Sequence, residues 1–154
     1  MKDLQIPTRP IAVEVFTEPG RPLRGFLFHT DTPFDSDVSH DVAEVLNDER
    51  AFVPFSFEEA GGVPMILNKD HVVRVRVEAL AADSSGESPP IDWNEQPRTL
   101  VLADGTRVSG QIEVDTPPHA ARLVDKLNLA PPFVAVRTVA GLEFVRRTSI
   151  ARVE

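Results

Sequence analysis

Residues able to do chemistry are few in this chain and fall in three places. The densest group is His29-Thr30-Asp31-Thr32-Pro33-Phe34-Asp35-Ser36-Asp37-Val38-Ser39-His40-Asp41. Carboxylates with imidazoles are a donor set for a hard or borderline divalent cation. The spacing fits no established loop, however, and lacks the Gly and terminal Glu of an EF-hand. The second half of the chain keeps only Asp115 and His119. Helix capping and a solvated loop account for these side chains at lower cost, so the sequence assigns no metal ligand and no cofactor.

The second place is basic. Lys69, Arg74 and Arg76 recur in type as Arg146, Arg147 and Arg152 in the second half, and Lys69, Arg74, Arg146 and Arg147 are the candidate nucleic-acid contacts. On the outer face of an edge strand the same cations would instead block edge-to-edge aggregation, with Glu58, Glu59, Glu78 and Glu154 available to neutralise them. The third place is Trp93, whose amphipathic ring either seals a boundary or anchors a partner. No Gly-x-Ser-x-Gly, Walker A, Gly-x-Gly-x-x-Gly or His-Glu-x-x-His motif occurs. No catalytic residue is therefore assigned, and the chain reads as non-enzymatic.

The elements that must position these residues come from a duplication. Gly25-Phe26-Leu27, Asp31-Thr32-Pro33, Val45-Leu46-Asn47, Phe52-Val53-Pro54-Phe55, Ile66-Leu67-Asn68-Lys69 and Val72-Val73-Arg74-Val75 form one series of six blocks. Gly110-Gln111-Ile112, Asp115-Thr116-Pro117, Lys126-Leu127-Asn128, Phe133-Val134-Ala135-Val136, Phe144-Val145-Arg146-Arg147 and Ile150-Ala151-Arg152-Val153 repeat it in order. Collinear self-similarity of this kind marks repeated supersecondary units. Between the copies, Ala79 to Pro97 is rich in Ser, Pro, Gly and acidic residues, which cannot build a core, so it reads as a solvated linker.

Each copy opens on a hairpin. Ile11, Val13 and Val15 alternate before a turn at Glu18-Pro19-Gly20, and Asp104-Gly105 separates two β-rich runs in the second copy. A short helix follows: Val38, Val42, Val45 and Leu46 share one helical face, as do Ala120, Leu123, Val124 and Leu127. Asp37 is the expected N-cap of the first helix, and Pro117-Pro118 favours the start of the second. Both helices run into Asn, at Asn47 and Asn128, which is predicted to end them in the left-handed conformation. Three strands complete each copy, the last with Val73, Val75 and Val77 on one face and Arg74 and Arg76 on the other. Pro54 lacks an N–H, which places its strand at an edge or a bulge.

Gly105-Thr106-Arg107-Val108-Ser109-Gly110-Gln111-Ile112-Glu113-Val114-Asp115 resembles the first motif of the Sm-like small β-barrels. The final hairpins of both copies, Ile66 to Val75 and Phe144 to Ile150, are similar to the second, an apolar pair, a basic residue, a tight turn and an apolar strand. The helix between the motifs departs from that family, as does the absence of glycine after the basic residue. The resemblance implies a mainly β protein of two tandem small five-stranded barrels, each with one short helix inserted between strands 2 and 3. The copies would occupy residues 8–78 and 98–154, joined by a linker at 79–97. It also implies RNA contacts at the basic turns.

Composition bounds the rest. The chain has 154 residues, 42% hydrophobic and 26% charged, with no cysteine, hence no disulfide framework and no thiolate chemistry. A net charge of −8 disfavours nucleic acid as partner. No apolar run approaches the roughly 20 residues that span a bilayer, and the N-terminus has no signal-peptide h-region, so a soluble, cytoplasmic protein is expected. The first expectation is an interaction or scaffold protein that presents strand edges or a groove to another protein, in keeping with homo-oligomerisation. The alternative is an Sm-like RNA binder, and the third a metal- or small-molecule-dependent enzyme.

Overall fold

The computed structural model describes residues 8–17, 21–30, 38–57, 64–78, 97–113 and 122–154. The first copy contains β1 (Thr8–Phe16), β2 (Leu23–Thr30), α1 (Val38–Asn47), β3 (Phe52–Phe57), β4 (Pro64–Asn68), a 3-10 turn at Lys69–His71 and β5 (Arg74–Val77). The second contains β6 (Arg98–Leu102), β7 (Arg107–Glu113), α2 (Leu123–Asn128), β8 (Phe133–Thr138), β9 (Gly141–Arg146), a 3-10 turn at Arg147–Ser149 and β10 (Ile150–Val153). The turn at Glu18-Pro19-Gly20, the caps at Asp37 and Pro117-Pro118, and most of the 79–97 stretch lie outside the described residues.

The duplication is visible in the strand register. Leu27↔Phe55 on β2 and β3 becomes Ile112↔Val136 on β7 and β8. Pro54↔Ile66 becomes Ala135↔Phe144, and Val15↔Val75 becomes Leu100↔Val153. Gly25 and Gly110 hold the same place, each on a second strand where the third crosses close beneath it. A Cβ at Gly25 would stand 2.1 Å from the Ser56 carbonyl oxygen, and one at Gly110 would stand 2.3 Å from that of Arg137. Only hydrogen fits there.

Two separate barrels were expected; the strands instead form one ten-stranded antiparallel sheet in the order β10-β6-β7-β8-β9-β5-β1-β2-β3-β4. Each copy contributes five adjacent strands in the same internal order, and β9 of the second copy pairs with β5 of the first. The physical reason is the edge. A five-stranded sheet leaves unpaired N–H and C=O groups along its outer strands, and joining the two sheets satisfies one edge of each. The core follows the same logic. Phe133, Leu142 and Phe144 of the second copy lie in one buried cluster with Val42, Val45, Leu46, Val72 and Val75 of the first, and Val73 packs into the smaller cluster around Leu100, Val136 and Val145.

Two further expectations are corrected. Pro54 is not on an edge strand: β3 lies between β2 and β4. Its pairing with β2 ends at Phe55, so Pro54 faces no ladder partner on that side and its missing N–H removes no hydrogen bond. Neither helix ends in a left-handed Asn, since among the described residues only Gly105 and Gly141 have positive φ. α2 instead passes into Leu129 at φ −96°.

Candidate functional site

The feature with the most specific chemistry is the seam between the copies. β5 and β9 pair through Arg74↔Val145, Val75↔Phe144 and Arg76↔Glu143. Glu143 is buried, and its Oε1 accepts hydrogen bonds from Arg74 Nη1 at 3.0 Å and Arg76 Nε at 2.9 Å. The Arg74 guanidinium also lies 3.8 Å from the centroid of the Phe16 ring, where the electron-rich face attracts a cation. Arg146 continues the seam: its backbone N–H donates to Val73 O at 2.9 Å, its Nε to Val72 O at 2.9 Å and its Nη2 to Lys69 O.

Asn47, at the end of α1, closes the seam from the other side. Its Oδ1 accepts from Phe133 N at 2.8 Å and its Nδ2 donates to Phe133 O at 3.3 Å. The side-chain amide thus imitates a strand partner for the first residue of β8. The sequence expectation of a capping role is replaced by a clasp on the other copy.

The seam is heterologous, since β5 of one copy meets β9, the fourth strand of the other. Its two halves therefore recur unmatched at the sheet ends, where β4 and β10 are the terminal strands. Phe133 and Phe144 are 1% and 2% exposed, whereas their counterparts Phe52 and Ile66 are 58% and 74% exposed. At the opposite end, α2 has no buried residue and Val124 is exposed. α2, Ile150 and Val153 line a groove of about 790 Å³, rimmed by Arg98, Arg147, Arg152 and Asn128. Asn128 stands where Asn47 stands in the first copy. One end thus carries apolar knobs and the other an apolar groove.

Of the basic residues singled out from the sequence, Arg147 and Arg152 share the exposed rim of that groove, whereas Lys69, Arg74 and Arg146 are used internally. Lys69 is buried, and its ammonium donates to Val45 O at 3.0 Å, Asp48 O at 3.1 Å and Asp48 Oδ1 at 2.7 Å. A cation on the last carbonyls of a helix is favoured by the unpaired C=O groups and the dipole. Burial acts against the Asp48 carboxylate, but hydrogen bonds from Arg50 and Lys69 outweigh it and hold its pKa at about 2. Arg74 and Arg146 belong to the seam, and the exposed Arg147 donates to Ala130 O at 2.7 Å. β5 is an interior strand, so Arg74 and Arg76 guard no edge there. Glu78 pairs with Arg24 at 3.4 Å, and Glu154 pairs with Arg152 at 3.1 Å. Trp93, Glu58 and Glu59 lie outside the described residues.

Of the acidic stretch, the structure brings His29 and Asp41 together and adds Glu44, which the sequence reading did not include. Nor did that reading find a role for Glu143, Phe52 or Ile66, and it gave Asn47 that of a helix cap. Aligning the copies pairs Phe52 with Phe133 and Ile66 with Phe144, a usable signal, but it carries no information on which member is covered. Among the described residues no helix is long and apolar enough to cross a membrane. No family model matches the chain, and no curated protein or solved structure matches it.

Proposed function

We propose that this protein is a non-catalytic interaction module that assembles end to end with further copies of itself, forming a scaffold. One observation carries the reading: the β5–β9 seam is heterologous, and its unmatched halves recur as exposed knobs at β4 and an open groove at β10. A heterologous contact that repeats yields a closed ring or an open filament, depending on the rotation between units. In the assembled form Phe52 and Ile66 of one molecule take the places that Phe133 and Phe144 occupy inside the chain. Asn128 then clasps the backbone of Phe52, as Asn47 clasps that of Phe133. The resemblance of each copy to an Sm-like unit belongs to this reading as a description of shape. RNA binding is disfavoured by the internal use of Lys69, Arg74 and Arg146.

The contact between molecules is weaker than the internal seam. Met65 stands where Glu143 stands, opposite Arg152 and Glu154 rather than two arginines, so the buried ion triad has no counterpart. Burying Ile66 alone contributes about 1.5–3 kcal/mol, roughly ten- to a hundredfold in affinity.

Sedimentation velocity over a concentration series tests this reading. The expected result is reversible growth beyond the monomer, lost in Ile66→Asp and separately in Val124→Asp, with circular dichroism unchanged. Strict monomer at every concentration refutes it. So does assembly that both variants retain.

A further inference from the structure

We infer that His29, Asp41 and Glu44 form a binding site for a divalent cation of the zinc class. His29 is on β2, while Asp41 and Glu44 sit one turn apart on α1. One ring nitrogen and one oxygen from each carboxylate lie within 4.8 Å of one another. Ligands held about 2.0–2.1 Å from a tetrahedral zinc stand about 3.4 Å apart. Asp41 Oδ1 faces His29 Nδ1 and Glu44 Oε2 faces Nε2, so an ion on Nδ1 closes the set when the exposed Glu44 side chain swings round to that side.

Asp41 supplies the independent argument. It is fully buried, its Oδ2 is ion-paired with Arg9, and its Oδ1 has no hydrogen-bond partner among the described residues. That oxygen stands 3.7 Å from His29 Nδ1. A buried carboxylate oxygen without a donor is unfavourable, and a cation between it and the imidazole removes the deficit. Arg9, on the other oxygen, would orient the carboxylate, as outer partners of metal ligands do.

Glu44 completes the site on its open side. Its Oε2 is 2.7 Å from His29 Nε2, a hydrogen bond given up when the side chain swings to the ion on the Nδ1 side. Its Oε1 is 3.5 Å from His40 Nδ1, and His40 lies outside the set of atoms that can meet one ion. His29, His40 and Glu44 line a cleft of about 770 Å³, through which an ion and its water enter. Imidazole with two carboxylates selects zinc, nickel or cobalt over calcium, which takes six to eight oxygens. Three protein ligands with one position left to water is the pattern of an open zinc site.

The rival explanation for the same geometry is an imidazole held between two carboxylates without metal. Titration calorimetry of the chelator-treated full chain with Zn²⁺ separates the two, with Co²⁺ absorption as the spectroscopic readout. The expected result is one Zn²⁺ per chain with micromolar or tighter affinity, and visible Co²⁺ bands of a four- or five-coordinate ion. His29→Gln and Glu44→Gln should each weaken binding by about tenfold or more, and His71→Gln should leave it unchanged. Glu44 is exposed, so its variant keeps the fold and the test stays interpretable. Absence of saturable Zn²⁺ binding overturns the assignment, as does unchanged affinity in both ligand variants, or saturation by Ca²⁺ in preference to Zn²⁺. The site shares no residue with the end-to-end contact, so either can fail alone.

Discussion

Replacing Glu143 by Ala should take from Arg74 its carboxylate partner at the seam, while Arg76 keeps Glu14 at 4.0 Å. The Glu143 carboxylate is almost fully buried and receives both Arg74 and Arg76. Removing one partner of a buried pair costs about 3–5 kcal/mol, because the remaining charge is left uncompensated. Arg76 is a third exposed and recovers part of its hydration, whereas Arg74 is largely covered and stacked on Phe16. The lower end, about 3 kcal/mol, is therefore expected. For a chain of this size each kcal/mol moves the melting temperature by about 2–4 °C, so a fall of about 6–12 °C should follow. Urea unfolding of Glu143→Ala, Arg74→Met and the double variant forms the assay, with a coupling of about 1 kcal/mol or more between the sites. A loss below about 1 kcal/mol, or additivity of the two changes, would refute the claim that the triad is desolvated and coupled. Because Phe133, Leu142 and Phe144 complete the first copy's core, unfolding should remain a single transition. Separate melting of the two copies would refute the shared core.

Asn47→Ala should cost about 1–3 kcal/mol, since the Phe133 N–H loses its acceptor; chemical denaturation measures it, and a neutral result would mean that water replaces the clasp. Gly110→Ala, which pushes a Cβ against the Arg137 backbone oxygen, should destabilise by about 1–3 kcal/mol or more, read as a lowered melting temperature. Asp48 has a folded pKa of about 2 against an ordinary 3.8. Its contribution is thus fully present above pH 4 and disappears as pH falls through 2. A third of the side chain is exposed and screened by solvent, so about 1 kcal/mol is expected. Stability measured from pH 5 to 2 should show this acid limb, and it should shrink in Lys69→Met.

Short-range pattern along the chain specifies the local elements. Alternation of Val13 and Val15 specifies strand, the 38–46 spacing specifies helix, and Asp104-Gly105 specifies the hairpin whose Thr106 N–H returns to Asp104 Oδ1. Six recurring blocks specify that one unit is used twice, and the register of both copies agrees with them. These features depend on residues near each other along the chain, so composition and period suffice.

Long-range pairing selects which edge meets which, and therefore which side chains are covered. Lys69 and Arg147 look alike in sequence, yet one is sealed against the end of α1 and the other is exposed. Phe52 and Phe133 are the same residue at the same register, one in solvent and one in the core. His29 meets Glu44 only because β2 lies against α1. Each outcome rests on a pairing between residues far apart in the chain. Such a pairing is selected by unsatisfied backbone groups and by the shape of apolar surfaces, neither of which has a period that a linear reading can detect.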